Sequence, residues 1–263
     1  MMLAWYWREE LEVLNFGEHI TPYILNYYGL KWKKFSDRSD SDDKCIMMIG
    51  SELHYNKMEW LKTAGMKEIH VWGQGKGTGE KFDPKKYNVK FHLIRGETTR
   101  KDLDLDSSIP TGDPGFVMPL ISDIKRNNIK DTIYMPHWQH RKNIKEKQKL
   151  WSFSKYIDIM MSKENFLPVL DQLVNAQFVM TTSLHVSIIC LAYKVPFCVI
   201  KTKEEKLSYY PNKWNDVFDW VGVKMKVCNN LVEGVGWWRE NVKDHEIPDP
   251  KNILDTFPFY IFN

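Results

Sequence analysis

The chain is poor in the features that mark out whole classes of protein. It has only four cysteines, Cys45, Cys190, Cys198 and Cys228, spaced too widely for a CxxC pair or a disulfide framework. This excludes a small stapled fold and points to a reducing compartment. Charge of one sign is also lacking: 37 Lys and Arg against 34 Asp and Glu leave +3, so nothing demands a polyanionic partner, and nucleic-acid binding is not expected. The basic stretch Lys125 to Lys149 reads as a solvated helix face. The N-terminus places aromatics ahead of Arg8, Glu9 and Glu10, which is not the order of a secretory signal. The longest apolar run, Ser187 to Ile200, is interrupted by Lys194 and Pro196 and is too short to span a bilayer. Repeats and low-complexity tracts are missing as well. These exclusions predict a soluble cytoplasmic protein, with room for peripheral contact with a membrane.

What remains is a chain of 263 residues, enough for two modest domains with real cores. Apolar periodicity predicts strands at Leu3 to Trp7, Cys45 to Ile49, Glu68 to Trp72 and Lys90 to Ile94, with helices near Glu18 to Tyr28 and Tyr55 to Ala64. After Pro114 the alternation restarts. Strands are predicted at Thr132 to Met135, Tyr156 to Met160, Gln177 to Met180 and Phe197 to Ile200, and helices at Asn165 to Ala176 and Leu184 to Ala192. Such alternation predicts an α/β fold with mostly parallel sheets and ligands off the carboxyl ends of the strands. The expected division is a first lobe over 1–115, a second over 116–247, and a tail, 248–263, that packs back on the body.

Several strand ends carry candidate chemistry. Thr181-Thr182-Ser183-Leu184-His185 joins a strand to a helix whose free backbone N–H groups favour an anion. Asn15-Phe16-Gly17-Glu18 follows the first strand, Val71-Trp72-Gly73-Gln74-Gly75 ends another, and Arg95-Gly96-Glu97-Thr98-Thr99-Arg100 leads to Gly112-Asp113-Pro114. Met135-Pro136-His137 closes a strand of the second half. The glycines from Gly73 to Gly79 lack a following Gly-Lys-Ser/Thr and read as a flexible cleft loop rather than a phosphate loop. His137 and His140 have no carboxylate or thiol to complete a zinc set, so no metal and no cofactor are expected. Eleven tryptophans, among them Trp5, Trp7, Trp138, Trp214, Trp237 and Trp238 in polar surroundings, would suit a carbohydrate acceptor, whose C–H faces stack on flat rings.

In this order, from about Trp5 to about Ile200, the segments resemble the polysaccharide pyruvyl transferase family. The resemblance implies two Rossmann-like lobes in a GT-B-like arrangement, with the active site in the cleft between them. It also implies transfer of pyruvate from phosphoenolpyruvate, the donor substrate, to two hydroxyls of a sugar as a cyclic ketal. The acceptor would be a glycan or lipid-linked oligosaccharide of the kind used in exopolysaccharide synthesis.

Carried onto this chain, the resemblance makes Glu18 and His185 the catalytic pair. Glu18 stands where the family motif has Asp, and is expected to be a base or to share acid and base duty with His185, the proton donor. Arg95 is the first choice to clamp the donor and Arg100 the weaker one; Ser183 and Leu184 complete donor binding, Asn15 shapes the turn, and His137 touches acceptor or phosphate. The chain departs from the family at Ser183, where some members have Arg, and at Val186, where Gly is usual. Two alternatives stay open at this stage: a GT-B-type glycosyltransferase using a nucleotide sugar, and a non-catalytic glycan-binding relative.

Overall fold

The computed structural model describes residues 1–201 and 211–263. Its strands in chain order are β1 (Met2–Trp5), β2 (Val13–Asn15), β3 (Trp32–Lys34), β4 (Lys44–Met47), β5 (Glu68–Gln74) and β6 (Val89–Ile94), followed by β7 (Lys130–Met135), β8 (Lys155–Tyr156), β9 (Met160–Ser162), β10 (Ala176–Thr181), β11 (Phe197–Ile200) and β12 (Val227–Cys228). Ten of them make two five-stranded sheets, in the orders β3-β1-β4-β5-β6 and β12-β11-β10-β7-β8. Every pairing within both sheets is parallel. Parallel neighbours need crossovers, and helices such as Tyr55–Thr63 and Leu184–Ala192 provide them. With helices on their faces, the inner strands are buried on both sides, which is why Cys45–Met47 and Phe197–Ile200 are unbroken apolar runs. The result is the expected α/β fold with two Rossmann-like halves.

Two departures from the sequence reading shape the site. The strand predicted over Tyr156 to Met160 is split: β8 lies at the edge of the second sheet, whereas β9 leaves it. Between them Asp158 accepts the backbone N–H of Met160 at 2.9 Å, and this turn redirects the chain. β9 then pairs antiparallel with β2 from the other half, Leu14 opposite Met161. The helix predicted from Glu18 begins as a tight 3-10 turn, Phe16–His19, and continues as Ile20–Tyr27. Asn15 caps that turn by accepting the Gly17 N–H at 3.1 Å.

The halves share one core. A continuous apolar cluster joins Phe16, Ile46 and Trp72 from the first sheet's side to Ile133, Met180 and Val199 from the second. A smaller cluster around Met47, Leu61 and Val71 fills the opposite face of the first sheet. Further ties cross between them: the Phe16 N–H donates to Ile159 O at 2.8 Å, and the helix Pro211–Val221 returns to pack on Glu97–Asp102. The tail lies against the first sheet, where the Trp72 indole donates to Thr256 at 2.8 Å and meets Phe257 edge-on. Among the described residues no helix is long and apolar enough to cross a membrane.

Phe16 is wholly buried at the junction, in contact with Phe166. Phe16→Ala is therefore expected to cost about 3–5 kcal/mol in denaturant unfolding, as for large aromatic truncations in close-packed cores. A loss below about 1 kcal/mol would show that the two halves do not depend on this shared packing.

Candidate active site

The carboxyl ends of both sheets open on one cleft of about 380 Å³. Glu18, Asn15, Arg95, His137, Ser183, Leu184 and His185 all line it, brought from four separate parts of the chain. Arg100 does not. Its side chain turns away to Glu97, at 3.0 Å, and to the backbone oxygens of Asp106 and Ile109, so it fastens its own loop.

Local structure explains each placement. The 3-10 turn of Phe16–His19 is pinned to the second half by β2–β9 pairing and by the His19 ring, whose Nε2 lies 2.9 Å from Met161 O. This brings Gly17 against the His185 imidazole so closely that a methyl group there would overlap the ring. On the other side, Thr181 donates to Met135 O at 2.6 Å, and Thr182 accepts the His137 N–H at 2.8 Å, locking the ends of β10 and β7 together. Ser183 then starts the helix without spending its hydroxyl on a cap. Val186 points into the apolar core and does not line the cleft, so its replacement of Gly leaves the ligand space unobstructed.

Arg95 is 1% exposed and heavily committed. Its guanidinium donates to Gly50 O at 3.0 Å, to Ser51 at 2.6 Å and to Asp216 at 3.2 Å, while its Nε has no partner among the described residues. Asp216 in turn accepts from the Thr99 N–H at 2.9 Å and the Thr99 hydroxyl at 2.6 Å. The Gly73 to Gly79 segment reaches the cleft, which Gly77 and Thr78 line, and its glycines allow close approaches: side chains at Gly75 and Gly77 would collide with Arg95 and with Ser51 O. Sequence reasoning missed Ser51, Glu52 and Lys213, and it offered Trp138 for sugar stacking without placing it opposite Trp7. Ser51 and Glu52 follow β4 and could have been found by the strand-end rule. Lys213 carries no local signal, since only tertiary packing delivers it.

The electrostatics invert the expected division of protons. Burial, aided by Glu52, Glu9 and Asp113, raises the Glu18 carboxyl from 4.5 to about 8, against one opposing hydrogen bond from the Trp7 N–H at 3.1 Å. Burial, with Arg95 and Lys213 nearby, lowers His185 to about 3, and His137 falls to about 3 mainly by burial. At neutral pH the carboxyl holds the proton and His185 is a neutral imidazole whose Nε2 has no hydrogen-bond partner among the described residues. At the mouth, Trp7 from the first half and Trp138 from the second stack at 5.8 Å, with the Arg8 guanidinium 4.6 Å from the Trp7 ring centre. Trp5, Trp214 and Trp237, by contrast, are core. Among the described residues no three His, Cys, Asp or Glu side chains are grouped so as to hold a metal ion.

A sequence model of the family described as polysaccharide pyruvyl transferase matches residues 8–204, three quarters of the chain. The chain belongs to this family. Its fold is shared with a crystal structure of a functionally uncharacterised protein from Klebsiella pneumoniae subsp. pneumoniae, at TM-score 0.55 and 12% identity, covering 87% of this chain and 92% of that one. No curated protein is similar enough to register as a relative. Family membership makes a transferase with a glycan acceptor the frame in which the cleft is read.

Two measurements probe this geometry. Because folding raises the Glu18 pKa from 4.5 to about 8, the folded state binds the extra proton across that window, and stability falls as pH rises through it. Glu18→Gln should flatten that decline between pH 5 and 8 in denaturant titrations; an unchanged pH slope would refute the shift. Asp216→Ala should cost about 3–5 kcal/mol, the usual penalty for stranding a buried cation, and a loss under about 1 kcal/mol would mean that Arg95 finds compensation elsewhere.

Proposed function

We propose that the protein transfers pyruvate from phosphoenolpyruvate to two hydroxyls of one sugar residue in a glycan, forming a cyclic ketal. The convergence of Glu18, Arg95 and His185 on one cleft, in a chain of this family, is the observation that carries the reading. The chemistry balances as follows. Carbon 2 of the enol forms two bonds to sugar oxygens and loses its bond to phosphate. Of the two hydroxyl protons released, one ends on carbon 3, which becomes the methyl group, and the other on the departing phosphate.

Glu18 suits the first proton. Protonated at neutral pH, it can donate to carbon 3 while positive charge builds at carbon 2, and the carboxylate left behind can then take the proton of the attacking hydroxyl. One residue thus serves as acid and then base. His185 suits the second: its neutral ring accepts a proton from the second hydroxyl, and the adjacent phosphate dianion raises its basicity so that the imidazolium can pass that proton to the leaving group. Ser183 and the first N–H groups of the helix Leu184–Ala192 offer donors to an anionic group at the same wall. The Trp7 and Trp138 pair at the mouth supplies the flat apolar surface that a pyranose ring stacks on.

The test is incubation with phosphoenolpyruvate and a panel of galactosides and mannosaminides, following mass gain and phosphate release. Mass gain with stoichiometric phosphate supports the proposal; product formation from a nucleotide sugar instead would replace it with glycosyl transfer. Glu18→Gln is expected to reduce ketal formation at least about 100-fold with the fold retained, the scale of a lost acid–base group. Trp138→Ala should raise the Michaelis constant for the acceptor about tenfold while leaving that for phosphoenolpyruvate within twofold. Equal effects on both substrates would remove Trp138 from the acceptor site.

A further inference from the structure

Among the described residues two carboxyl groups line the cleft, Glu18 and Glu52, and both come from the first half of the chain. The second half brings the His185 ring, the Ser183 hydroxyl and the opening N–H groups of the helix Leu184–Ala192, which suit an anion. Glu18 takes part in the proposed chemistry; Glu52 does not, yet its backbone is firmly set. Its N–H donates to Gln74 Oε1 at 3.1 Å, and the same buried amide donates from Nε2 to Ile49 O at 2.6 Å, so one side chain grips both ends of the loop. Gly50, between them, stands at φ +129°, and a side chain there would press on the Gln74 amide.

The Glu52 side chain is left open at the end of this rigid loop. It is 28% exposed, and its nearest partners, His54 Nε2 at 3.4 Å and Lys57 Nζ at 3.8 Å, both lie on Oε2. Lys57 is held back by the Trp5 and Trp60 rings, whose centres are 4.1 and 4.4 Å from its ammonium group. We propose that Glu52 binds hydroxyl groups of the acceptor sugar and makes the cleft select an uncharged sugar residue over a uronate. This rests on the reading of the acceptor as a glycan. A carboxylate accepts the O–H groups of a polyol in short, charge-assisted hydrogen bonds, and its two oxygens can serve neighbouring hydroxyls. It repels a second carboxylate in the same place, and it turns an anionic donor toward the helix opening of the other half. Trp7 and Trp138 line the same cleft, so ring stacking and hydroxyl contact act on one sugar.

The experiment uses the full chain, wild type and Glu52→Gln, Glu52→Ser and Glu52→Asp, without phosphoenolpyruvate. The probes are the methyl glycosides of galactose and N-acetylmannosamine, each beside its uronic acid, with binding followed by the shifts of tryptophan indole N–H signals in NMR titrations. Wild type is expected to bind the better neutral sugar about tenfold or more tighter than its uronate, Gln and Ser to bind that sugar about tenfold more weakly with little preference left, and Asp to keep the preference. The ligand-free Tm of at least one neutral variant serves as the folding control. Because the Glu52 charge is one cause of the raised Glu18 pKa, the comparison is repeated in a Glu18→Gln background, where a direct contact keeps its effect and an indirect one loses it. Unchanged sugar affinity in the neutral variants, a preference that survives in them, an effect lost with Glu18, or no sugar binding by wild type each overturns the assignment. The two readings fail separately: sugar binding that depends on Glu52 without ketal formation keeps this contact and overturns pyruvyl transfer, and ketal formation with unaltered sugar affinity in the Gln variant does the reverse.

Discussion

The cleft depends on one buried ion pair. Arg95, at the end of β6, and Asp216, on a helix that arrives from the other half of the chain, meet where both are almost wholly excluded from water. Desolvating two charges is expensive, and the pair persists because nearly every remaining donor and acceptor is used, on Thr99, Gly50 and Ser51. Small residues make the meeting geometrically feasible: Gly75 leaves room for the guanidinium and Gly96 for the backbone at Asp216. From this contact follow the position of the Ile49–Glu52 wall, the direction of the returning helix and the placement of Lys213.

The fold was legible because its signals are local and repeated. Fully buried parallel strands are apolar runs, and β4, β5, β6, β10 and β11 stand within a few residues of where those runs predict them. β2, β3 and β12 were not predicted: each has three residues or fewer, too short for a period to show. The site was legible to the extent that it lies at strand ends. Glu18, Arg95, His137 and His185 stand at such ends and share the cleft, whereas Arg100, one helical turn beyond, is captured by its own loop. Lys213 was invisible as a site, and Trp138 was one candidate ring among several, because no spacing along the chain encodes what lies across the cleft. The glycines of the 73–79 segment also permit close contact, with Arg95 and with Ser51 O, which their spacing along the chain does not reveal.

Burial is the largest of the causes that separate the two catalytic candidates. The same desolvation that raises an acid lowers a base, so enclosing Glu18 and His185 together moves their affinities for protons past one another. A carboxyl group is thereby made the resting proton carrier and an imidazole the resting acceptor, opposite to their order in water. No special partner is needed for this beyond a wall that keeps water out and a neighbouring cation that biases the ring.

The short antiparallel ribbon between Val13–Asn15 and Met160–Ser162 has a mechanical consequence. It sutures the entry segment of the first half to the second, directly beside the 3-10 turn that carries Glu18. Enzymes made of two α/β halves commonly admit ligands by swinging on a hinge; here such a swing would have to unzip that ribbon and tear a common interior. The same closeness is felt at the cleft itself, where two indole rings from opposite halves rest on each other.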